Sequence, residues 1–434
     1  MGRLVRGNLP PRIAVVPPGG RSRELSRRLA AVEAPGINTL APGDGAVVVW
    51  DEALGANVLD VDGNVYVDLT AGFGAAAVGH RHPRVVAAVV EQAGRLVHGL
   101  GDVAAHPLRV ELAERLAAMA PVDAARVHFA VSGADAIEIA VKTAVAATGR
   151  ARIVAFDPSY HGVTLGALAL SSRPEFRAPA TAHLHSHVVR LPYACALESA
   201  EAALAAGDVA AVVVEPVVGR EGVLVPPEGW LAGLAASARR HGALLVADEI
   251  LTGFGRTGRM FAVERDRVRP DLLCCGKGLG GGMPIAAVIG ERRHMEVWRT
   301  DGEALHTGTF VAHPLAVAGA LAALEVFSGE RLVDRAVAIG ARLGRLLAPL
   351  AAAGGAVVEV RGIGALWGIE VVDAASARRV VAHCRAEGVL VLAGGPDGRV
   401  IELSPPLTIS DAQIDAALGV LAGAVAAEVP AYRG

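Results

Sequence analysis

The sequence predicts an α/β protein: a large domain built on a mostly parallel sheet with helices on both faces, and a smaller α+β domain packed against it. Three observations carry that expectation. Six short Val/Leu/Ala-rich runs, RVHFAVSG, ARIVAFDPSYHG, VAAVVVEP, GALLVADEI, DLLCCGKG and MPIAAVIG, alternate with helical stretches. Runs that are apolar throughout, rather than at every second residue, suit strands buried on both faces. The runs also turn polar at their C-terminal ends, the edge where open α/β sheets gather ligands. Finally, 53% hydrophobic against 20% charged residues over 434 positions can fill two or three packed layers.

In chain order, residues 1–60 read as an N-terminal arm and part of the small domain. The first forty or so are rich in Pro, Gly and Arg and read as an extended arm with one short helix in SRELSRRLAAVEA. NVLDVDGNVYVDLTAG reads as a hairpin, because Val58, Val65 and Val67 flank DVDGN, whose Asp-Gly favours a tight turn. Helical spacing runs from Pro83 to Leu96 and from Pro107 to Met119. The six strand runs follow, and the helix PLAVAGALAALEVF closes the large domain, 61–325. Residues 326–434 form the C-terminal small domain. It opens on the helix LVDRAVAIGARLGRLLAPLAAAG and continues through strand-like VVEVRGIGALWGIEVV and VIELSPPL, with one helix between them and one at the end.

Composition removes several function classes. The net charge is 41 − 44 = −3 with both signs scattered, so no nucleic-acid surface is expected. Cys195, Cys274, Cys275 and Cys384 lack metal-ligand spacing, and the adjacent pair suits a disulfide poorly. They read as reduced thiols of a cytoplasmic protein with no metal site. IAVV near the N-terminus is too short for a signal core. The longest stretch without Asp, Glu, Lys or Arg, Ala304 to Leu324, holds His306, Thr309, His313 and Pro314, so no membrane span is expected.

The chemistry gathers at the strand ends, which carry Ser132, Tyr160, Glu215, Asp248 and Lys277. Lys277 sits between an apolar strand and a run of glycines, where poor solvation favours its neutral amine. A neutral amine is what Schiff-base chemistry requires. Asp248 is either a strand-end cap or the partner of a pyridine nitrogen. Ser132, Gly133 and Ala134 open a helix, either as an ordinary cap or as a phosphate seat of free amides. Tyr160 is a core residue or a platform for a flat ring.

With these residues in this order, the chain resembles the class-III (4-aminobutyrate/ornithine type) pyridoxal-phosphate aminotransferases, from about Asn57 to about Ile409. The likeness lies in DVDGNVYVDLTAG, GHRHP, SGADAIEIAVKTA, YHG, EPVVG, DEILTGFGRTGRMFAVE, GKGLGGGMPIAAVIG, HTGTFVAHPLAVAGALAALEV, VRGIG and PPLTIS. The resemblance implies a fold-type I transferase with pyridoxal 5'-phosphate as cofactor. It implies that Lys277 forms the Schiff base, Asp248 pairs with the ring nitrogen, Tyr160 stacks with His161 completing its motif, and Gly133 and Ala134 bind the phosphate. Glu215 would support the cofactor and substrate side, with His80 and His82 structural. Thr309 would reach the phosphate of a neighbouring subunit in a homodimer or homotetramer with shared sites. The implied substrates are an amine or amino acid and a keto acid or aldehyde. A racemase or epimerase on the same fold is the alternative.

Two departures bear on substrate. Family members that use 2-oxoglutarate usually pair a glutamate after EP-x-x-G with an arginine ahead of the P-L-T motif. Here those positions hold Arg220 and Glu402. Either the charges are exchanged as a swapped ion pair, which makes 2-oxoglutarate a doubtful acceptor and lets a cationic or polyhydroxyl group meet Glu402, or both are solvated residues. Leu251 stands where the family often has Gln, and Phe73 joins Arg220 and Glu402 as a candidate substrate contact.

Overall fold

The computed structural model describes residues 4–35, 46–352 and 357–429. Its centre is a seven-stranded sheet, whose strands are β1 Ala125–Ala130, β2 Arg152–Asp157, β3 Val188–Pro192, β4 Val209–Val214, β5 Leu244–Asp248, β6 Leu272–Cys275 and β7 Ala286–Glu291. Their spatial order is β1-β7-β6-β5-β4-β2-β3. Neighbours from β6 to β3 are parallel, whereas β7 runs antiparallel to both β1 and β6. Six of these strands are the six predicted runs. The unanticipated one is β3, a half-exposed edge strand. Its Arg190 turns inward to Asp157 at 2.5 Å, so it lacks the continuous apolar signature of the inner strands.

Alternate residues of the inner strands serve two cores, as the period of two along a strand requires. Val213, Val246, Cys274 and Val288 face the core under helix Gly133–Thr148. Val212, Val214, Leu245, Leu273 and Ile289 face the larger core on the opposite side, which includes residues of helices Trp230–Arg240 and Pro314–Gly329.

The hairpin is present as antiparallel Asn57–Asp60 and Val65–Asp68. Trp50–Leu54 adds on one side and Val389–Leu390 pairs in parallel on the other. Asp60 fixes the turn by accepting from the Asn64 backbone N–H and Nδ2, both at 2.8 Å, and from the Tyr66 hydroxyl at 2.8 Å. A second four-stranded sheet orders Val357–Ile363, Leu366–Val371, Val400–Leu403 and Leu392–Gly394, all antiparallel. Helix Pro107–Met119 has its predicted bounds, and the helix begun at Pro83 ends at Ala93. His82 accepts from the Arg84 N–H at the start of the latter, and His80 Nε2 bonds Asp68 at 2.8 Å, so both keep the structural roles expected of them. All four cysteines are unpaired. Among the described residues no helix is long and apolar enough to cross a membrane.

Candidate active site

Five strand ends converge on one edge of the central sheet. After β6 the chain passes Gly276 into one 3₁₀ turn, Lys277–Gly280. Lys277 takes φ +38° there, a conformation that costs a residue bearing a Cβ. The turn is closely packed: a Cβ on Gly278 would stand 3.3 Å from both Ala77 and Phe254. Burial lowers the pKa of the Lys277 amine, against the pull of Asp248, Glu215 and Glu402.

Asp248 ends β5, opposite Cys274 of β6. Its Oδ2 is 2.6 Å from His161 Nδ1, and its Oδ1 accepts from the Ile250 N–H at 3.1 Å. The two side chains are 4% and 0% exposed. Burial disfavours charge on His161, but its bond to Asp248 and the charges of Asp248 and Glu215 raise its pKa. The other ring nitrogen, Nε2, is buried without a partner.

Glu215, following β4, positions the loop that carries Tyr160 and His161. It accepts from the Tyr160 N–H at 2.9 Å and from the Gly219 N–H at 3.0 Å. Burial pushes its carboxyl up to about 7. Ser132, at the end of β1, caps helix Gly133–Thr148 by accepting from the Asp135 N–H at 3.2 Å. The Gly133 and Ala134 amides have no acceptor among the described residues, so the helix's positive end stays open. Gly162 at φ +122° lets the Tyr160 loop lie on this helix start, because a Cβ there would be 2.6 Å from that of Ala134.

Beside these groups opens a cavity of about 300 Å³ lined by Lys277, Tyr160, Phe73, Arg220 and Leu251, with Leu366, Leu392, Ala393 and Glu402 from the second four-stranded sheet and Ser404 just after it. Arg220 and Glu402 therefore share one cavity with the lysine and are not dispersed loop residues. The swapped ion pair does not form, however. The Arg220 guanidinium lies 4.5 Å from the Tyr160 ring centre and 5.3 Å from that of Phe176, held by cation–π attraction. Phe73 reaches the cavity mouth with 62% of its surface exposed.

Thr309 stands apart, exposed, in a shallow depression with His98, His106 and Arg109. The sequence reading missed Arg173 and Glu221, whose Nε and Oε1 pair at 2.7 Å beside Arg220. Glu221 was in plain view next to Arg220, but nothing in SSRPEF signalled that Arg173 would reach it across 48 positions. It also missed the bond between His161 and Asp248, treating the histidine only as part of a motif.

The model of the family described as "Aminotransferase class-III" matches residues 40–425. The chain belongs to this family. It is 41% identical over 395 residues to the acetylornithine aminotransferase of Mycobacterium leprae, covering 90% of this chain and 91% of the relative. It is 36% identical over 420 residues to the 5-aminovalerate aminotransferase of Pseudomonas aeruginosa, covering 92% and 96%. Among solved structures, the ornithine aminotransferase of Toxoplasma gondii ME49 superposes with a TM-score of 0.86 at 32% identity, over 94% of this chain and 95% of that one. A PLP-bound amine transaminase from an uncultivated Pseudomonas species gives 0.83 at 31%, over 91% and 98%. This class-III aminotransferase is a fold-type I enzyme that uses pyridoxal phosphate to move an amino group from an amine or amino acid to a carbonyl acceptor. The isomerase alternative gains no support from these relatives. The residues of the aminotransferase suit its cofactor, with open amides for a phosphate, an aromatic face, an anchored carboxylate and an unpaired amine within one strand-end cluster.

Proposed function

We propose that Lys277 is the lysine that carries pyridoxal phosphate, and that Asp248, oriented by His161, pairs with the ring nitrogen. Ser132, Gly133 and Ala134 hold the phosphate, Tyr160 lies against the ring, and Glu215 keeps the Tyr160 loop in place. The observation that carries this reading is a lysine of lowered pKa, with no hydrogen-bond or ion partner among the described residues, next to a histidine-anchored aspartate on adjacent strand ends of one sheet. The cofactor supplies an electron sink for the carbon that bears the amino group. Lys277 Nζ, its pKa lowered by burial, would take the proton from that carbon and deliver it to the cofactor rather than back to the same carbon. The Asp248 carboxylate supplies the fixed negative charge that keeps the ring nitrogen protonated. Phe73, Leu251 and the small sheet's residues exclude water from Lys277.

The substrates named for the relatives, acetylornithine and 5-aminovalerate, support a donor with a primary amine on an unbranched chain. Arg220 lines the same cavity with its guanidinium held over the Tyr160 and Phe176 rings, so the carboxylate seat expected for 2-oxoglutarate users is not supported here. The exposed Thr309, outside its own chain's cavity and beside exposed Leu305 and Phe310, supports a homodimer or homotetramer in which it serves a neighbour. The separate sheets support a division at about residue 325, whereas the first four-stranded sheet runs across residue 60 by pairing Asn57–Asp60 with Val65–Asp68, and four unpaired cysteines support a cytoplasmic setting.

The test is a half-reaction. Cofactor-loaded protein mixed with single amines, without a carbonyl acceptor, should lose its visible cofactor absorbance and yield one carbonyl product per site. Lys277→Ala should keep the circular dichroism spectrum and lose at least ~10³-fold in rate. Comparable turnover in that variant refutes the assignment. A monomer at micromolar concentration with full turnover refutes the shared role of Thr309.

A further inference from the structure

We infer that Glu402 is a specificity residue that binds a positively charged group, an ammonium or a guanidinium, at the end of the substrate remote from the reacting amine. The inference rests on the proposal that Lys277 is the reacting lysine. It follows from the way the two arginines near Glu402 are already engaged. Arg173 gives its Nε to Glu221 at 2.7 Å and its Nη2 to the Gly395 carbonyl at 2.7 Å. Arg220 is stacked over Tyr160 and Phe176. Glu402 remains: neither of its side-chain oxygens accepts a hydrogen bond among the described residues, and Oε1 is shielded from solvent.

The position is built into the sheet. Glu402 lies on Val400–Leu403, paired with Gly368 on one side and Leu392 on the other, so its backbone cannot swing away. Oε1 occupies the space over Gly394, where a Cβ would fall 1.8 Å from it. Glycine at 394 thus clears room for this carboxylate. An unpartnered buried carboxylate oxygen is costly unless something completes it. Burial and nearby Glu221 push its pKa well above the usual carboxylate range, although Arg220, Arg173 and Lys277 oppose that shift. A cation in the cavity meets Oε2, the oxygen not shielded from solvent, and draws the carboxyl into its ionised form, whereas an anion gains no partner there. Leu251, Leu366 and Phe73 line the same cavity and suit methylenes between the two ends. The substrate class is therefore a primary amine joined by a short aliphatic chain to a second cationic group.

The experiment uses cofactor-loaded enzyme and three primary amines of equal chain length: pentylamine, the terminal diamine and the terminal amino acid. The diamine should exceed pentylamine in kcat/KM by about tenfold or more, chiefly through KM. The isosteric E402Q should bring that ratio near one, and E402D, which keeps the charge, should retain part of it. Circular dichroism and the visible cofactor band confirm that each variant folds and loads. A second readout avoids turnover altogether: calorimetric binding of the tetramethylated diamine, which has no primary amine to react, should weaken about tenfold in E402Q. Equal use of pentylamine and diamine by the wild type, a diamine preference that survives in E402Q, or binding that ignores the substitution each overturns the proposal. If amines react with no dependence on Glu402, the Lys277 assignment stands and this inference falls. If none reacts while the tetramethylated compound binds in a Glu402-dependent way, a cation site at Glu402 stands, but its role in substrate choice falls together with the Lys277 assignment.

Discussion

Replacing His161 with Phe isolates the buried contact on which Asp248 depends. The phenyl ring fills the space but donates nothing, so Asp248 loses the 2.6 Å bond and keeps only the Ile250 N–H at 3.1 Å. Removing one partner of a buried charged pair costs about 3–5 kcal/mol, and the surviving bond places this case near 3. For 434 residues at about 2.1 cal/mol/K each, the unfolding entropy is about 0.9 kcal/mol/K, so Tm should fall by about 3 °C. The sign with pH is fixed as well. His161 has its pKa raised above the ordinary 6.5, so its contribution is complete below pH 6.5 and fades as pH rises through the folded value. Glu215 and Asp248 face the ring in both proteins, and only the wild type carries the imidazole. Urea titration of cofactor-free protein, followed by tryptophan fluorescence from pH 6 to 9, should show a gap that is widest at pH 6 and narrows upward. A gap below about 1 kcal/mol at pH 6, or one that grows with pH, refutes the reasoning.

Two further substitutions probe the supports of the site. Gly162→Val forces a Cβ to within 2.6 Å of Ala134 and should displace the Tyr160 loop from the helix start, weakening cofactor affinity at least ~10-fold in equilibrium dialysis; unchanged affinity counts against the phosphate seat. Glu249, fully buried, has its carboxyl pushed up to about 7 by burial, so its own contribution to stability should fall by about 3 kcal/mol as pH rises from 4.5 to 7. Glu249→Gln retains the carbonyl that accepts from the Val263 N–H and lacks that titration, so its stability should be flatter over this window; parallel pH curves for the two proteins exclude the effect.

The inner strands were legible because burial on both faces demands continuous apolar runs, and their polar ends located Ser132, Tyr160, Glu215, Asp248 and Lys277 together. β3 was illegible because an edge strand needs only half an apolar surface, and the arginine within it finds its carboxylate in another segment. The His161–Asp248 bond spans 87 positions and belongs to no local pattern. The exchange of Arg220 and Glu402 was visible as a departure, but their failure to pair depends on Tyr160 and Phe176 offering ring faces. Only folded proximity decides that competition.

The residues proposed to hold a chain's own cofactor, from Ser132 to Lys277, come from the span of the central sheet, while Leu366, Leu392, Ala393 and Glu402 reach the cavity from the antiparallel sheet near the end of the chain, with Ser404 just after it. Chemistry and selectivity are thus inherited on separate stretches of the gene. A recombinant that keeps residues up to the helix Pro314–Gly329 and borrows its last hundred residues from a relative would exchange the substrate wall while leaving the reacting lysine in its own setting. During synthesis the same arrangement sets an order: the strand ends of the cofactor seat leave the ribosome before the sheet that carries Glu402.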